Sequence, residues 1–237
     1  MRKLLLFGSL ALTLAACAPA TTPTNMSQTF KVRVQNVSTP TTLATPGGPN
    51  AAVPAPLSPV VWIVHSGSNP IWTLGTKASA GLESVAEDGS PMTLAGELKG
   101  KGHSSGVASI PVGASAPGPI LPGDAYEFTL SAVPGDRLSF ATMFVQSNDL
   151  FYDFSGAGLN LFGADGKPVS GDATGGVVLL DSGTEVNEQP GVGPAQKPRQ
   201  PSDNFGPSEN DVVHLVNDGY VYPAASSVIK VTITPTQ

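Results

Sequence analysis

The chain has 237 residues and a formal net charge of −6. Its 27 Gly and 23 Pro make up about a fifth of the chain, against ~12% in average proteins. Because Pro lacks an amide hydrogen and Gly loses the most backbone entropy on folding, this composition disfavours helical bundles and coiled coils. The acidic balance disfavours a nucleic-acid binder, since phosphate contacts need surplus Lys and Arg.

The first residues have the features of an export signal. Arg2 and Lys3 precede an apolar stretch of signal-peptide length, which is too short to span a bilayer permanently. The stretch ends in Leu14-Ala15-Ala16-Cys17, which is similar to the lipobox of bacterial lipoproteins. That resemblance implies cleavage before Cys17 and lipidation of this cysteine. The alternative is an ordinary secretory signal with an incidental cysteine.

This signal divides the chain into three parts. Residues 1–16 form the predicted signal peptide, residues 17–28 a lipidated Cys followed by a Pro/Thr-rich tether, and residues 29–237 the folded domain. We therefore expect a lipid-anchored protein outside the cytoplasm of a bacterial cell. Ala18 is not the Asp that retains some lipoproteins at the inner membrane, which favours the outer membrane or the cell surface.

Strand patterns recur along the predicted domain. Residues 30–37 alternate apolar and polar side chains, as half-buried strands do, whereas residues 60–64 are all apolar and indicate a strand buried on both faces. Gly, Pro, Asn and Asp clusters separate the segments and predict turns. The eight predicted strands are residues 30–37, 60–64, 126–130, 138–145, 158–162, 176–180, 212–216 and 228–233.

Helical signals are confined to one region. Ser79 is a candidate N-cap for residues 82–88, and residues 92–98 predict a second short helix. Eight strands with so little helix predict an all-β fold, either a β-sandwich or a barrel. Residues 38–59 and 187–210 are rich in Pro and long for loops, and such loops are commonly functional or mobile.

One segment matches a catalytic motif. Gly102-His103-Ser104-Ser105-Gly106 fits G-x-S-x-G, in which a sharp strand-to-helix turn exposes the serine. No apolar strand precedes Ser104 and no helical pattern follows it, so we interpret the segment as a Gly/Ser-rich loop with a water-exposed hydroxyl. A serine hydrolase that uses Ser104 is the less favoured alternative, and we expect no enzyme activity.

Carboxylates follow two apolar segments at the point where each meets a loop. Asp149 comes shortly after residues 138–145, and Asp181 and Glu185 come after residues 176–180. If these strands end at the same edge of one sandwich, the three acids converge and need a cation, and hard oxygen ligands favour Ca²⁺. The alternative is that these acids only form Asx-type turns.

The same segments carry a family resemblance. In this order, the segments 57–67, 78–89, 135–154 and 179–191 resemble the spondin amino-terminal domain, with Ser147 to Phe151 and Asp181 to Asn187 as the most specific parts. The resemblance implies an antiparallel, C2-like β-sandwich with adhesive or ligand-binding function. It also implies one Ca²⁺ ion held by Asp149, Asp181 and Glu185, the last being Asp in animal members.

These observations give one expected function. We expect a monomeric, non-catalytic module that binds one Ca²⁺ and a surface protein or glycan, and that is attached to a membrane through its lipid. The alternative is a structural envelope lipoprotein in which Ca²⁺ only fixes loops. No contact with nucleic acid is expected.

The anchor can be tested through its single thiol. Since Cys17 is the only cysteine of the chain, Cys17→Ala should abolish incorporation of a labelled fatty acid, as measured by autoradiography of the purified protein. Label that still enters the variant would contradict the lipoprotein assignment.

Overall fold

The computed structural model describes residues 27–47 and 51–236. Cys17 and the predicted signal peptide lie outside the described residues, as does nearly all of the predicted tether. None of the helices in the described ranges has the length and hydropathy needed to cross a membrane.

The described residues form eleven β-strands and two short α-helices, and the predicted all-β fold is confirmed. The helices are α1 (Ala80–Asp88) and α2 (Met92–Glu97), both between the second and third strands. The strands are β1 (Gln28–Asn36), β2 (Val60–His65), β3 (Ser104–Ala108), β4 (Ala125–Ala132), β5 (Arg137–Met143), β6 (Leu150–Phe154), β7 (Leu159–Asn160), β8 (Gly171–Asp172), β9 (Val177–Asp181), β10 (His214–Leu215) and β11 (Ile229–Thr236).

The strands pair into two antiparallel sheets within the described part of the chain. One sheet has the order β4-β1-β11-β8, and the other has the order β10-β9-β6-β5-β2-β3, with β7 also paired to β5. Side chains from both sheets, among them Phe30, Val231, Phe140 and Tyr152, form a core in which these four residues are at most 1% exposed. The architecture is therefore a β-sandwich.

The outer face of the larger sheet is covered by the two helices. Leu82 and Val85 of α1 and Leu94 of α2 pack with Val61 and Ile63 of β2 in a second buried cluster. Because alternate residues of a strand point to opposite faces, β2 contacts the sandwich core with one set and the helices with the other. The prediction that this apolar strand is buried on both faces is thus confirmed.

The predicted helix start is also confirmed. The Ser79 side chain accepts a hydrogen bond from Leu82 N–H at 3.2 Å, which satisfies one of the free amides of the first turn. The helix ends at Gly89, whose φ of +65° is a left-handed conformation that favours glycine. This turn directs the chain away from α1 beside Ser58 and Met143.

All eight predicted strands have counterparts, and three strands were missed. The interpretation of the Gly102–Gly106 segment as a loop was wrong, because Ser104 begins β3, which pairs along the length of β2. The residues of β3 are small and mostly polar because β3 is the edge strand of the larger sheet, where Gly106 leaves room for the Trp62 ring. β6 and the two-residue β8 were the other strands without a prediction.

A buried carboxylate joins three segments of the larger sheet. Asp153 of β6 is fully buried and accepts hydrogen bonds from Asn69 Nδ2 (2.8 Å), Trp72 Nε1 (2.7 Å) and the backbone N–H groups of Phe140 (2.8 Å) and Phe154 (2.6 Å). Burial raises the pKa of Asp153 to about 7 although these donors favour its charged form. Since every contact is an internal N–H group, this acid has a structural role.

Candidate metal centre

The register of two neighbouring strands brings Asp149 and Asp181 together. β6 begins directly after Asp149, and β9 ends at Asp181. The strands are antiparallel, with Leu150 opposite Asp181, so the start of one lies beside the end of the other. Both acids are almost completely buried. The sequence-based expectation that these two residues converge agrees with this geometry.

A third carboxylate reaches the same point from a different loop. The segment after β9 runs alongside residues 208–211, with hydrogen bonds from Glu209 N to Thr184 O (2.9 Å) and from Asp211 N to Gly183 O (2.8 Å). Carboxylate oxygens of Asp149, Asp181 and Glu209 lie within 4.8 Å of one another. This cluster, in which Glu209 is the exposed member, could hold a metal ion.

One oxygen of Asp149 is saturated with hydrogen bonds and the other has none. Oδ2 accepts from Ser182 Oγ (2.9 Å), Thr184 N (2.8 Å), Thr184 Oγ1 (3.2 Å) and Glu185 N (3.1 Å). Oδ1 is buried and has no hydrogen-bond partner among the described residues. Leaving a buried acceptor unsatisfied costs about 1–3 kcal/mol, and more for a charged group. Oδ1 therefore has the features of a ligand atom.

Asp181 is held by its own loop. Its Oδ1 accepts from Gly183 N (2.7 Å) and its Oδ2 from Asn187 Nδ2 (2.6 Å). The Asn187 side-chain oxygen is also buried and without a partner among the described residues, and it could add a neutral ligand. Gly183 has a φ of +70° and adding a Cβ there would bring it to 2.7 Å from the Val212 oxygen, so glycine is required at this turn.

The electrostatics of the cluster favour a cation. Burial raises the pKa of Asp149 above its usual range, against hydrogen bonds that favour the charged form. Burial, followed by the charge of Asp149, raises the pKa of Asp181 to about 7 and also raises the pKa of Glu209. Among the described residues no Lys or Arg forms an ion pair with these acids, and the basic group facing them is His214, with Nε2 at 3.8 Å from Asp181 Oδ2.

Glu185 lies in the same loop as Asp181, but its carboxylate does not belong to the group of three. Its backbone N–H donates to Asp149, while its carboxylate is buried and accepts a long hydrogen bond from Asn148 Nδ2 at 3.5 Å. Burial and then the charge of Glu87 raise the pKa of Glu185 to about 8. The third carboxylate beside Asp149 and Asp181 is that of Glu209, and the role of Glu185 as a ligand stays a prediction.

Glu209 was missed because it lies in the long loop, residues 187–210, for which the sequence predicts no structure. The one sequence feature that pointed to Glu209 was the predicted strand that contains His214. In the structure this strand is β10, which pairs with β9 and places His214 opposite Asp181. Residues shortly before His214 must then lie near residues shortly after Asp181. That pairing could have identified Glu209 as a neighbour.

The Gly102–Gly106 segment lacks the geometry of its motif. Ser104 follows a helix and begins an edge strand, whereas the nucleophile elbow requires a strand that turns into a helix. Ser104 Oγ is buried and has no partner among the described residues, and His103 pairs with Asp136 at 2.9 Å. The expected water-exposed hydroxyl was wrong, because β3 packs against β2.

Neither a known protein-family model nor a curated protein matches this chain. The resemblance to the spondin amino-terminal domain therefore remains a prediction from the residues that carry it.

Proposed function

We propose that the chain is a calcium-binding, non-catalytic module of the bacterial envelope, anchored through lipidated Cys17, that binds a surface protein or glycan. The observation that carries the proposal is the buried, unpartnered Oδ1 of Asp149 inside a group of three carboxylates. A bound cation would satisfy this oxygen and offset the cost of burying the three acids together.

The donor set favours Ca²⁺ among metal ions. The ligand atoms of the cluster are carboxylate oxygens, with the amide oxygen of Asn187 as a further candidate, and His214 Nε2 lies 3.8 Å from Asp181 Oδ2 without belonging to the group. Ca²⁺ takes six to eight such oxygens at about 2.3–2.6 Å, with carbonyls and waters completing the shell. The exposed side of the cluster at Glu209 leaves room for water ligands. Zinc and copper favour Cys and His instead.

Bound Ca²⁺ would join the loops at one end of the sandwich. Asp149 precedes β6, Asp181 ends β9, and Glu209 belongs to the segment that leads to β10. By neutralising the repulsion among the three carboxylates, the ion would hold these three segments in one arrangement. The segment after β9 and the segment before Glu209 expose Val186 and Phe205, each 42% accessible. Apolar side chains on loops ordered by a cation favour ligand binding over a purely structural role.

Calcium should stabilise the protein through the Asp149 cluster. At 100 times the dissociation constant, an ion that binds only the folded state adds about 2.7 kcal/mol to the free energy of unfolding. At ~2–4 °C per kcal/mol for a domain of this size, Tm should rise by roughly 5–10 °C relative to excess chelator. Asp149→Asn and Asp181→Asn should each remove most of that rise in differential scanning calorimetry.

A matched control is Asp203→Asn, because Asp203 is an exposed acid of a loop at the same end and pairs with Lys197. This variant should keep the full calcium-dependent rise. A wild-type Tm that is equal in millimolar calcium and in chelator would contradict the calcium site.

Ligand binding is tested separately on the exposed apolar side chains of these loops. Immobilised wild-type protein should retain a glycan or protein from solubilised native envelope in calcium and release it in chelator. Phe205→Ala should lose retention while keeping the calcium-dependent Tm, because Phe205 is an exposed apolar side chain that offers no metal ligand. Equal retention by wild type and Phe205→Ala in both conditions would favour the structural alternative.

A further inference from the structure

The start of β1 and the carboxylate cluster lie at opposite ends of the sandwich. β1 begins at Gln28, opposite Ala132 of β4, and residues 133–136 lead from β4 directly into β5. The starts of β1 and β5 therefore share one end, which we call the basal end. Asp149 lies beyond the last residue of β5 and just before β6, at the other end, which we call the carboxylate end.

The basal end is one continuous surface. It consists of residues 99–103, 133–137 and 155–170. His103 pairs with Asp136 at 2.9 Å, which joins the first of these segments to the second. Arg137 Nη1 donates to Gly158 O at 3.3 Å, which joins the second to the third. Charges carried by the three segments therefore act together.

The basal end is positively charged although the whole chain has a formal net charge of −6. Its three segments contain two Asp residues and four basic residues, which are Lys99, Lys101, Arg137 and Lys167. Of the two acids, Asp136 is buried and Asp165 pairs with Lys167 at 3.1 Å. Lys99 and Lys101 are exposed, and within the described part of the chain neither forms an ion pair. Two uncompensated positive charges thus face solvent here.

The carboxylate end has the opposite charge. Residues 203–211 are all exposed and contain three acids and no Lys or Arg. One of them, Asp203, pairs with Lys197, which leaves Glu209 and Asp211 without a salt bridge among the described residues. A negatively charged surface would therefore attract the basal end and repel the carboxylate end.

Covalent geometry places the basal end near the predicted anchor. Eleven residue steps separate Cys17 from Gln28, and such a length spans at most about 35–40 Å. β1 then runs from Gln28 to Asn36 and carries the chain to the carboxylate end, about 25–30 Å further at roughly 3.3 Å per residue. A lipid on Cys17 would thus keep the basal end within reach of the bilayer.

We propose that the basal end docks on anionic lipid headgroups, so that the sandwich stands on the membrane with its carboxylate end directed away. Lys99 and Lys101 supply the contact, since Lys binds phosphate groups as a point charge. This orientation presents the exposed side chain of Phe205 to partners outside the membrane. The inference rests on the lipid anchor of the proposed function and does not depend on the bound ion.

The test measures which end lies nearer the bilayer, in the full lipidated chain reconstituted into vesicles. One set of vesicles contains phosphatidylglycerol and phosphatidylcholine, the other contains phosphatidylcholine alone, and both carry an energy-acceptor dye on a trace of headgroups. Because the lipid occupies Cys17, the only natural cysteine, Ser66→Cys or Ser202→Cys provides a single thiol for a donor dye. Ser66 follows β2 at the basal end, Ser202 lies near the carboxylate end, and both are exposed.

Energy transfer from position 66 should exceed that from position 202, and the difference should increase from neutral to anionic vesicles. Each Lys near an anionic surface changes the ratio of docked to undocked protein about fivefold. Lys99→Gln combined with Lys101→Gln should therefore return the transfer from position 66 towards its value on neutral vesicles. Half-molar salt should do the same to the wild type, because it screens exposed charges.

A matched control removes the same charge from the other end. Lys197→Gln combined with Lys230→Gln should not lower the transfer from position 66, since Lys197 contacts Asp203 and Lys230 begins the strand pair opposite Gln35. Equal transfer on anionic and neutral vesicles, or an equal loss in both double variants, would overturn the docking and leave the anchor standing. Protein that fails to float with either kind of vesicle would overturn the lipid anchor and the docking with it.

Discussion

The hydrogen bonds accepted by Oδ2 of Asp149 determine the structure of one end of the sandwich. Four donor contacts from Ser182, Thr184 and Glu185 bind the segment after β9 to the residue before β6. Because Oδ2 is saturated, the carboxylate is fixed in orientation, and its other oxygen is buried without a partner among the described residues. The arrangement that stabilises the loop therefore also creates the unsatisfied oxygen.

The same constraint distributes the acids around the loop. The backbone N–H of Glu185 donates to Asp149, while its buried carboxylate contacts Asn148 and lies under Gly206. Thr184 contacts two members of the cluster, since its hydroxyl donates to Asp149 and its backbone oxygen accepts from Glu209 N–H. Residues 181–185 thus supply one carboxylate of the cluster, the donors to Asp149 and a further buried acid.

Much of the fold could be predicted because burial imposes periodicity. β1 alternates apolar and polar residues because mainly one of its faces is buried. β2 is an apolar run because both of its faces are buried. β6 was missed since its burial is complete and includes Asp153, an acid that a pattern of hydrophobic residues cannot assign to a core. β3 was missed because an edge strand beside a Trp ring needs small residues, which resemble a loop.

The candidate site was predictable only where strands position it. Asp149 and Asp181 adjoin apolar segments, so their approach follows from antiparallel pairing. Glu209 depends on contacts between two loops, which no local pattern encodes. The side-chain direction of Glu185 depends on the space left by Gly206, more than twenty positions away in sequence.

A crystal structure of the protein grown in millimolar calcium, with anomalous data, tests the central claim most directly. The account predicts an anomalous peak about 2.3–2.6 Å from Asp149 Oδ1, with Asp181 in the same coordination shell. A peak-free site in which Asp149 Oδ1 accepts a hydrogen bond from an ordered water would contradict it.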